Sequence, residues 1–433
     1  MVEANQEIKK ISELIEIKNL IIPPYQRPYK WKAENVTQLL DDIFEHIVTK
    51  GKVYRIGSLI VHDERQNFNI VDGQQRLTTI SILLKALGNE KVLLLNQEYR
   101  HKISQDNIVF NYRVIQNWLQ KITDKDNFKK QLLEKCEFVL FTVYEADEAF
   151  QFFDSQNSRG KTLEPYDLLK AFHLREMEFD SESDRETAVN RWEESIDKGK
   201  LKPILGNHLF RIRKWTKNEL KYDFTKNDID EFKGISLHQK QQFPYESSLR
   251  MLDGFVENAQ NDKFLKNSHV AQSYPFSHTM PIINGKRFFE YVDFYVQQKN
   301  NLFKKDDGKF YEFYGKYSKN YTHASRTGDW KVRNLYENIL LLYRDKFGNE
   351  GFEQFYPAFY KAVYKIRCEK KSIRIETILQ SSGIKILKEI NDSISTEKLK
   401  KYLYKDFEIT ETNLANGVGF IKNAINKNFR END

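Results

Sequence analysis

Asp72, Gly73, Gln74, Gln75 and Arg76 stand where the short run Phe-Asn-Ile-Val gives way to an amphipathic stretch ending near Leu87. A strand that hands over to a helix leaves unpaired N–H groups in the helix's first turn. Those amides and the helix dipole together make an anion site. Gly73 lets the backbone come close to a phosphate. Arg76, one turn in, adds a planar fork of donors suited to phosphate oxygens. Gln74 and Gln75 can donate to phosphate, base or sugar. Asp72 reads as N-cap, general base or metal ligand, and the spacing leaves the three open. Asp-Gly also makes ordinary turns, but three polar residues opening a buried helix serve no core.

Two further strings carry similar chemistry. Ile22 to Trp31, "IPPYQRPYKW", is an extended loop fixed by its prolines. Gln26, Arg27, Tyr29, Lys30 and Trp31 would project from it as donors and stacking surfaces, arginine for phosphate and aromatics for a base. The competing reading staples the loop to the core through Tyr25, Tyr29 and Trp31, and leaves Gln26 and Arg27 unexplained. In "FDSQNSRGKTLEPYDLLK", Phe153 to Lys170, the residues Asn157, Arg159, Gly160 and Lys161 form a basic, Gly-containing loop before a helix. A plain interhelical turn is the alternative there.

The elements that must position these strings follow from periodicity. "IEIKNLIIP", "YRIGSLIVHDE", "FNIVD" and "CEFVLFTVYE" read as strands. "AENVTQLLDDIFEHI" puts Val36, Leu39, Leu40, Ile43, Phe44 and Ile47 on one helical face. The helix opened by Gly73 stops near Gly88, "NIVFNYRVIQNWLQKI" is another, and Thr162 can cap "LEPYDLLKAFHLRE". After the acidic break "EFDSESDRE" nearly every segment reads as helix. The expected class is α+β: an α/β domain over residues 1–176, then a mainly α-helical domain over 177–433.

Composition bounds the function classes. The chain has 433 residues, 40% hydrophobic and 30% charged, with a formal net charge of +7. That is an ordinary globular balance, compatible with nucleic-acid contact without establishing it. No run nears the roughly 18 apolar residues of a membrane span, so no membrane role is expected. Two cysteines, Cys136 and Cys368, offer neither a disulfide framework nor a zinc quartet. A reduced, cytoplasmic protein is the expectation.

Taken together, Ile-Pro-x-Tyr-Gln-Arg-Pro-Tyr-x-Trp, Ile-Gly-Ser-Leu, Val-Asp-Gly-Gln-Gln-Arg-Leu-Thr-Thr and Asn-Ser-Arg-Gly-x-x-Leu resemble the N-terminal domain of GmrSD-type modification-dependent restriction proteins, in the ParB/sulfiredoxin superfamily. The resemblance covers roughly residues 10 to 175, and more loosely the helical half. It implies nucleoside-triphosphate binding and hydrolysis with Mg²⁺, coupled to DNA restriction in bacterial defence. By position, Asp72, Gly73, Gln74, Gln75 and Arg76 match the nucleotide motif, Gln26 and Arg27 the first box, and Asn157, Arg159 and Gly160 the third. The roles it suggests are Arg76 and the Gly73 to Gln75 amides on phosphates, Asp72 on Mg²⁺ or water, and Arg27 on a second phosphate or DNA. Asp72, Gln74, Gln75 and Arg76 are the expected catalytic set.

One departure matters. Complete members carry a C-terminal HNH nuclease, which needs a histidine base followed by metal ligands. His269, His278 and His323 lack such a partner set and read as capping or surface residues. DNA cleavage is then absent from this chain or supplied by a partner nuclease subunit; a homo-oligomer stays open. Two other readings remain: a DNA-binding or modification-sensing module without turnover, and a stand-alone metal-dependent DNase using Asp72 with Asp154 or Asp167.

Overall fold

The computed structural model describes residues 4–23, 26, 28–64, 67–99, 101–144, 164–177, 180–262, 276–304, 308–403 and 418–426. The chain divides into two compact units, Met1–Leu174 and Arg175–Asp433.

In chain order the first unit contains β1 (Ala4–Lys10), α1 (Ile11–Leu14), β2 (Leu20–Ile21), α2 (Ala33–Phe44), β3 (Tyr54–Glu64), β4 (Asn67–Asp72), α3 (Gln74–Ala86), α4 (Lys102–Trp118), α5 (Lys125–Lys135) and β5 (Cys136–Val143). The strands form one mixed sheet in the order β1-β5-β3-β4-β2. β3 pairs parallel with β5 and antiparallel with β4, so α3, α4 and α5 all lie in the crossover from β4 to β5. Cys136, Phe138 and Leu140 of β5 join Leu59, Val61 and Ile70 in a core that α2, α3 and α4 close. α3 is buried on every side: Gln74, Gln75 and every residue from Leu77 to Leu84 are covered.

Two strand readings need correction. The strand expected over Ile15–Pro23 is confined to Leu20–Ile21, which pairs parallel with Phe68 and Asn69. The edge beside β5 is β1, from the polar "ANQEIKK", which the sequence reading did not foresee. Its register with β5 supplies the stability; its side chains stay largely exposed, with Ile8 50% accessible. An edge strand of this kind has no apolar alternation to betray it.

The helix α6 (Pro165–Arg175) runs across the boundary, and the second unit is helical: α7 (Glu182–Asp197), α8 (Phe210–Thr216), α9 (Glu246–Asn261), α10 (Lys286–Leu302), α11 (Lys309–Tyr314), α12 (Thr327–Phe347), α13 (Phe352–Glu369), α14 (Ile375–Leu379), α15 (Ser382–Asp392) and α16 (Gly419–Asn426). The architecture is therefore α+β. The aromatics of α12 and α13 build the second core: Tyr336, Phe359, Tyr360 and Tyr364 are fully buried, with the Tyr360 and Tyr364 rings stacked at 4.2 Å. The expected core face of α10, Phe288, Phe289, Val292, Tyr295 and Val296, is buried. His278 is not a surface histidine; it is 1% exposed. Cys136 and Cys368 are free and buried. Among the described residues no helix is long and apolar enough to cross a membrane.

Candidate functional site

The site grows from the turn between β4 and α3. Gly73, not Asp72, is the N-cap, at φ 93° in the left-handed region. A Cβ there would lie 2.9 Å from the Ser58 carbonyl oxygen of β3, so both conformation and space demand glycine. Asp72 remains the last residue of β4, opposite Ile60. The first backbone bond of α3 is Leu77 N–H to Gly73 O, 2.9 Å. The amides of Gln74, Gln75 and Arg76 precede it, and the N-cap glycine has no side chain to cap them.

Arg76 lies across a bulge. The register of β3 on β5 shifts between Arg55 and Gly57. A Cβ on Gly57 would stand 1.7 Å from Arg76 Nη1, so glycine makes room for the guanidinium. Arg76 donates to the Ile56 carbonyl at 3.5 Å and to Asp72 Oδ2 at 3.4 Å. Both contacts are long for a cation with five N–H donors. The side chains of Arg76 and Asp72 keep 27% and 20% exposure, so a ligand can reach them.

The two glutamines differ. Gln75 accepts from the Lys30 N–H at 2.9 Å and donates to the Pro28 carbonyl at 3.1 Å. Each end of its amide thus holds the backbone of the loop before α2. Gln74 is 5% exposed, and among the described residues its Oε1 has no hydrogen-bond partner. Thr78 Oγ1, one turn further on α3, has no aligned partner either. The Tyr99 hydroxyl lies against Thr78, and burial pushes its pKa up to about 12. Buried polar atoms grouped beside a helix N-terminus are satisfied by a water or a ligand group.

Gln26 and the stretch Pro28–Trp31 are latched, not projecting. Gln26 Nε2 donates to the Ile70 and Val71 carbonyls at 2.9 and 2.7 Å, where Val71 is the residue β4's irregularity leaves opposite nothing. Tyr29, expected as a stacking surface, is fully buried; its hydroxyl meets Thr79 Oγ1 at 2.8 Å and Asn111 Nδ2 at 3.1 Å. The Tyr29 N–H donates to Ser104 Oγ, and Asn111 also donates to the Trp31 carbonyl. Apolar burial of Tyr29 requires its hydroxyl to find partners, and α3 and α4 supply them. The competing reading, a loop stapled to the core, thus holds for Tyr29 and Trp31; what the sequence did not disclose is the partners on α4, Asn107 and Asn111.

Arg27, Asn157, Arg159 and Gly160 lie outside the described residues, as does Asp154. Asp167 Oδ2 accepts the Glu164 N–H at 3.2 Å, at the start of α6. Among the described residues no group of three or more His, Cys, Asp or Glu could hold a metal ion by itself. A Mg²⁺ site of the nucleotide kind would need only one or two carboxylates acting with the substrate's phosphates, and Asp72 is the carboxylate beside this turn.

Residues 8–174 match the family model of the GmrSD restriction endonuclease N-terminal domain. Residues 184–416 match a family of unknown function, DUF7834. No curated protein matches the chain. Through its helical half the chain belongs to the family DUF7834, and its first unit is a GmrSD restriction endonuclease N-terminal domain.

Proposed function

We propose that the chain is a component of a DNA restriction system that binds and hydrolyses a nucleoside triphosphate at Asp72–Arg76. The observation that supports this reading best is Arg76: a part-buried guanidinium on a glycine-cleared bulge, held by two long contacts, beside three uncapped amides. Phosphate oxygens would take the amides of Gln74 and Gln75, and the Arg76 fork would swing from Ile56 and Asp72 onto the terminal phosphate. The Asp72 carboxylate, beside this arginine, would orient a water or hold Mg²⁺ together with the phosphates. The metal, when bound, would neutralise charge developing on the transferred phosphoryl group. Gln75 and Gln26 act in this reading as positioning residues, and Gln74 Oε1 as an acceptor for a ligand group or ordered water. DNA is the target of the system, and strand cleavage falls to a partner nuclease subunit.

The test is phosphate release from each nucleoside triphosphate with Mg²⁺, with and without DNA, by the native protein and Arg76→Ala. Removing one such donor should lower turnover by about 100-fold or more. A native protein that hydrolyses no triphosphate, with or without DNA, refutes the reading. DNA binding that persists without turnover, and that weakens steeply with salt, would make the chain a sensor.

A further inference from the structure

The second unit contains a cavity of about 450 Å³ lined by α10, α11, α12 and the start of α13. That is the size range of small-molecule sites. His278 forms part of its floor at 1% exposure. The imidazole is fixed: its ring packs against Tyr295 with centroids 3.9 Å apart and planes inclined by 37°, and its own backbone N–H donates to Asp345 Oδ2 at 2.9 Å. Nδ1 lies 3.0 Å from that oxygen but off the line of a hydrogen bond, and Nε2 has no partner. Tyr295 donates to the other Asp345 oxygen at 2.7 Å, so the carboxylate is turned toward this pair. A buried imidazole with neither nitrogen in an aligned bond is a group prepared for something else.

Arg344 lines the same cavity. Its guanidinium rests over the Phe352 ring at 5.0 Å. Burial holds it below its usual pKa with no carboxylate opposing the effect. An anion entering the cavity would supply the missing charge. Phe310 and Phe352 add apolar lining, and Asn301 offers an amide at the exposed mouth.

We propose that this cavity binds a mononucleotide-class ligand, a phosphate ester with a planar ring, whose phosphate meets Arg344, whose ring lies against Phe310 and Phe352, and which hydrogen-bonds to His278. The site is distinct from Asp72–Arg76 and stands whether or not that motif hydrolyses triphosphates.

The experiment is calorimetric titration of the full chain with adenosine, guanosine, cytidine and uridine 5′-monophosphates, and with inorganic phosphate. At least one monophosphate should bind more tightly than inorganic phosphate. Arg344→Ala should weaken it tenfold or more, and Asn301→Trp, which fills the exposed mouth without touching the core, should do the same. Arg76→Ala should leave it unchanged. No monophosphate binding by the native protein overturns the proposal. So does native-like binding in Asn301→Trp, binding lost only in Arg76→Ala, or inorganic phosphate binding as well as the best monophosphate.

Discussion

Replacing Gln75 by alanine separates the two jobs a motif glutamine can have. In the structure its amide accepts the Lys30 N–H at 2.9 Å and donates to the Pro28 carbonyl at 3.1 Å. Alanine leaves both backbone groups without that partner, and Gln75 is 7% exposed, so water enters poorly. Each stranded group costs about 1–3 kcal/mol, less for the half-buried Lys30, giving about 2–4 kcal/mol together. At about 1.4 kcal/mol per factor of ten, the loop should open roughly 30- to 1,000-fold more often. Hydrogen exchange read at single amides measures this locally in the full chain, where global unfolding of two units would mix their transitions. The Lys30 amide should exchange faster by that factor. The Tyr29 amide, held separately by Ser104 Oγ at 3.0 Å, should follow if the loop opens as one piece. If Lys30 in Gln75→Ala exchanges within about threefold of native, the side chain is not the latch. The glutamine would then be available to a ligand, and its assignment as a positioning residue would fail.

Gly57→Ala places a Cβ 1.7 Å from Arg76 Nη1 and should push the guanidinium off the bulge. Triphosphate turnover should fall as far as in Arg76→Ala, and the double mutant should be no worse than either single, because both remove one group. In the helical unit Asp329 is fully buried between Arg367 Nε at 3.0 Å, Arg326 Nε at 2.9 Å and the Tyr321 hydroxyl at 2.7 Å. Asp329→Ala removes the carboxylate paired with the buried Arg367 guanidinium and should destabilise that unit by about 3–5 kcal/mol, read by thermal unfolding. Burial works against the Glu231 carboxylate's charge, but Lys214, Lys217 and Arg213 more than offset it and hold its pKa below the ordinary 4.5. A lowered folded pKa means stability that is complete above the ordinary value and drains away as pH falls through it toward the folded one. Stability measured from neutral pH into that acid range should therefore fall less steeply in Glu231→Gln than in the native protein.

What the sequence disclosed was set by range. The strand–Gly–helix unit at Phe68–Leu87 was legible because β4 and α3 are continuous in the chain and Asp-Gly marks the turn. The N-cap was misassigned by one residue: Asp72 has the capping side chain, but the close approach of Gly73 to Ser58 keeps Asp72 in the strand. Gln26 and Gln75 looked like ligand donors because their partners, Ile70 and Pro28, lie 44 and 47 residues away, while Tyr29 carried both readings, stacking surface and core staple, until Asn111, 82 residues away, decided between them. No local pattern reports a bond of that separation. β1 was missed because its pairing is all backbone. His278 looked isolated for the same reason as the latch: Asp345 is 67 residues downstream, inside a helix whose apolar face hides it.

The latch also dates the birth of the site. A growing chain releases the Asp72–Arg76 motif well before Ser104, Asn107 and Asn111, the α4 residues that hold Tyr29 and Trp31 in place. Chains lengthen at about 5–20 residues per second, so for some seconds the motif exists without its geometry. β5, which supports the Gly57 bulge beneath Arg76, arrives later still. A nascent chain stalled before Asn111 would carry every letter of the motif without the bond from Asn111 to the Trp31 carbonyl and without β5.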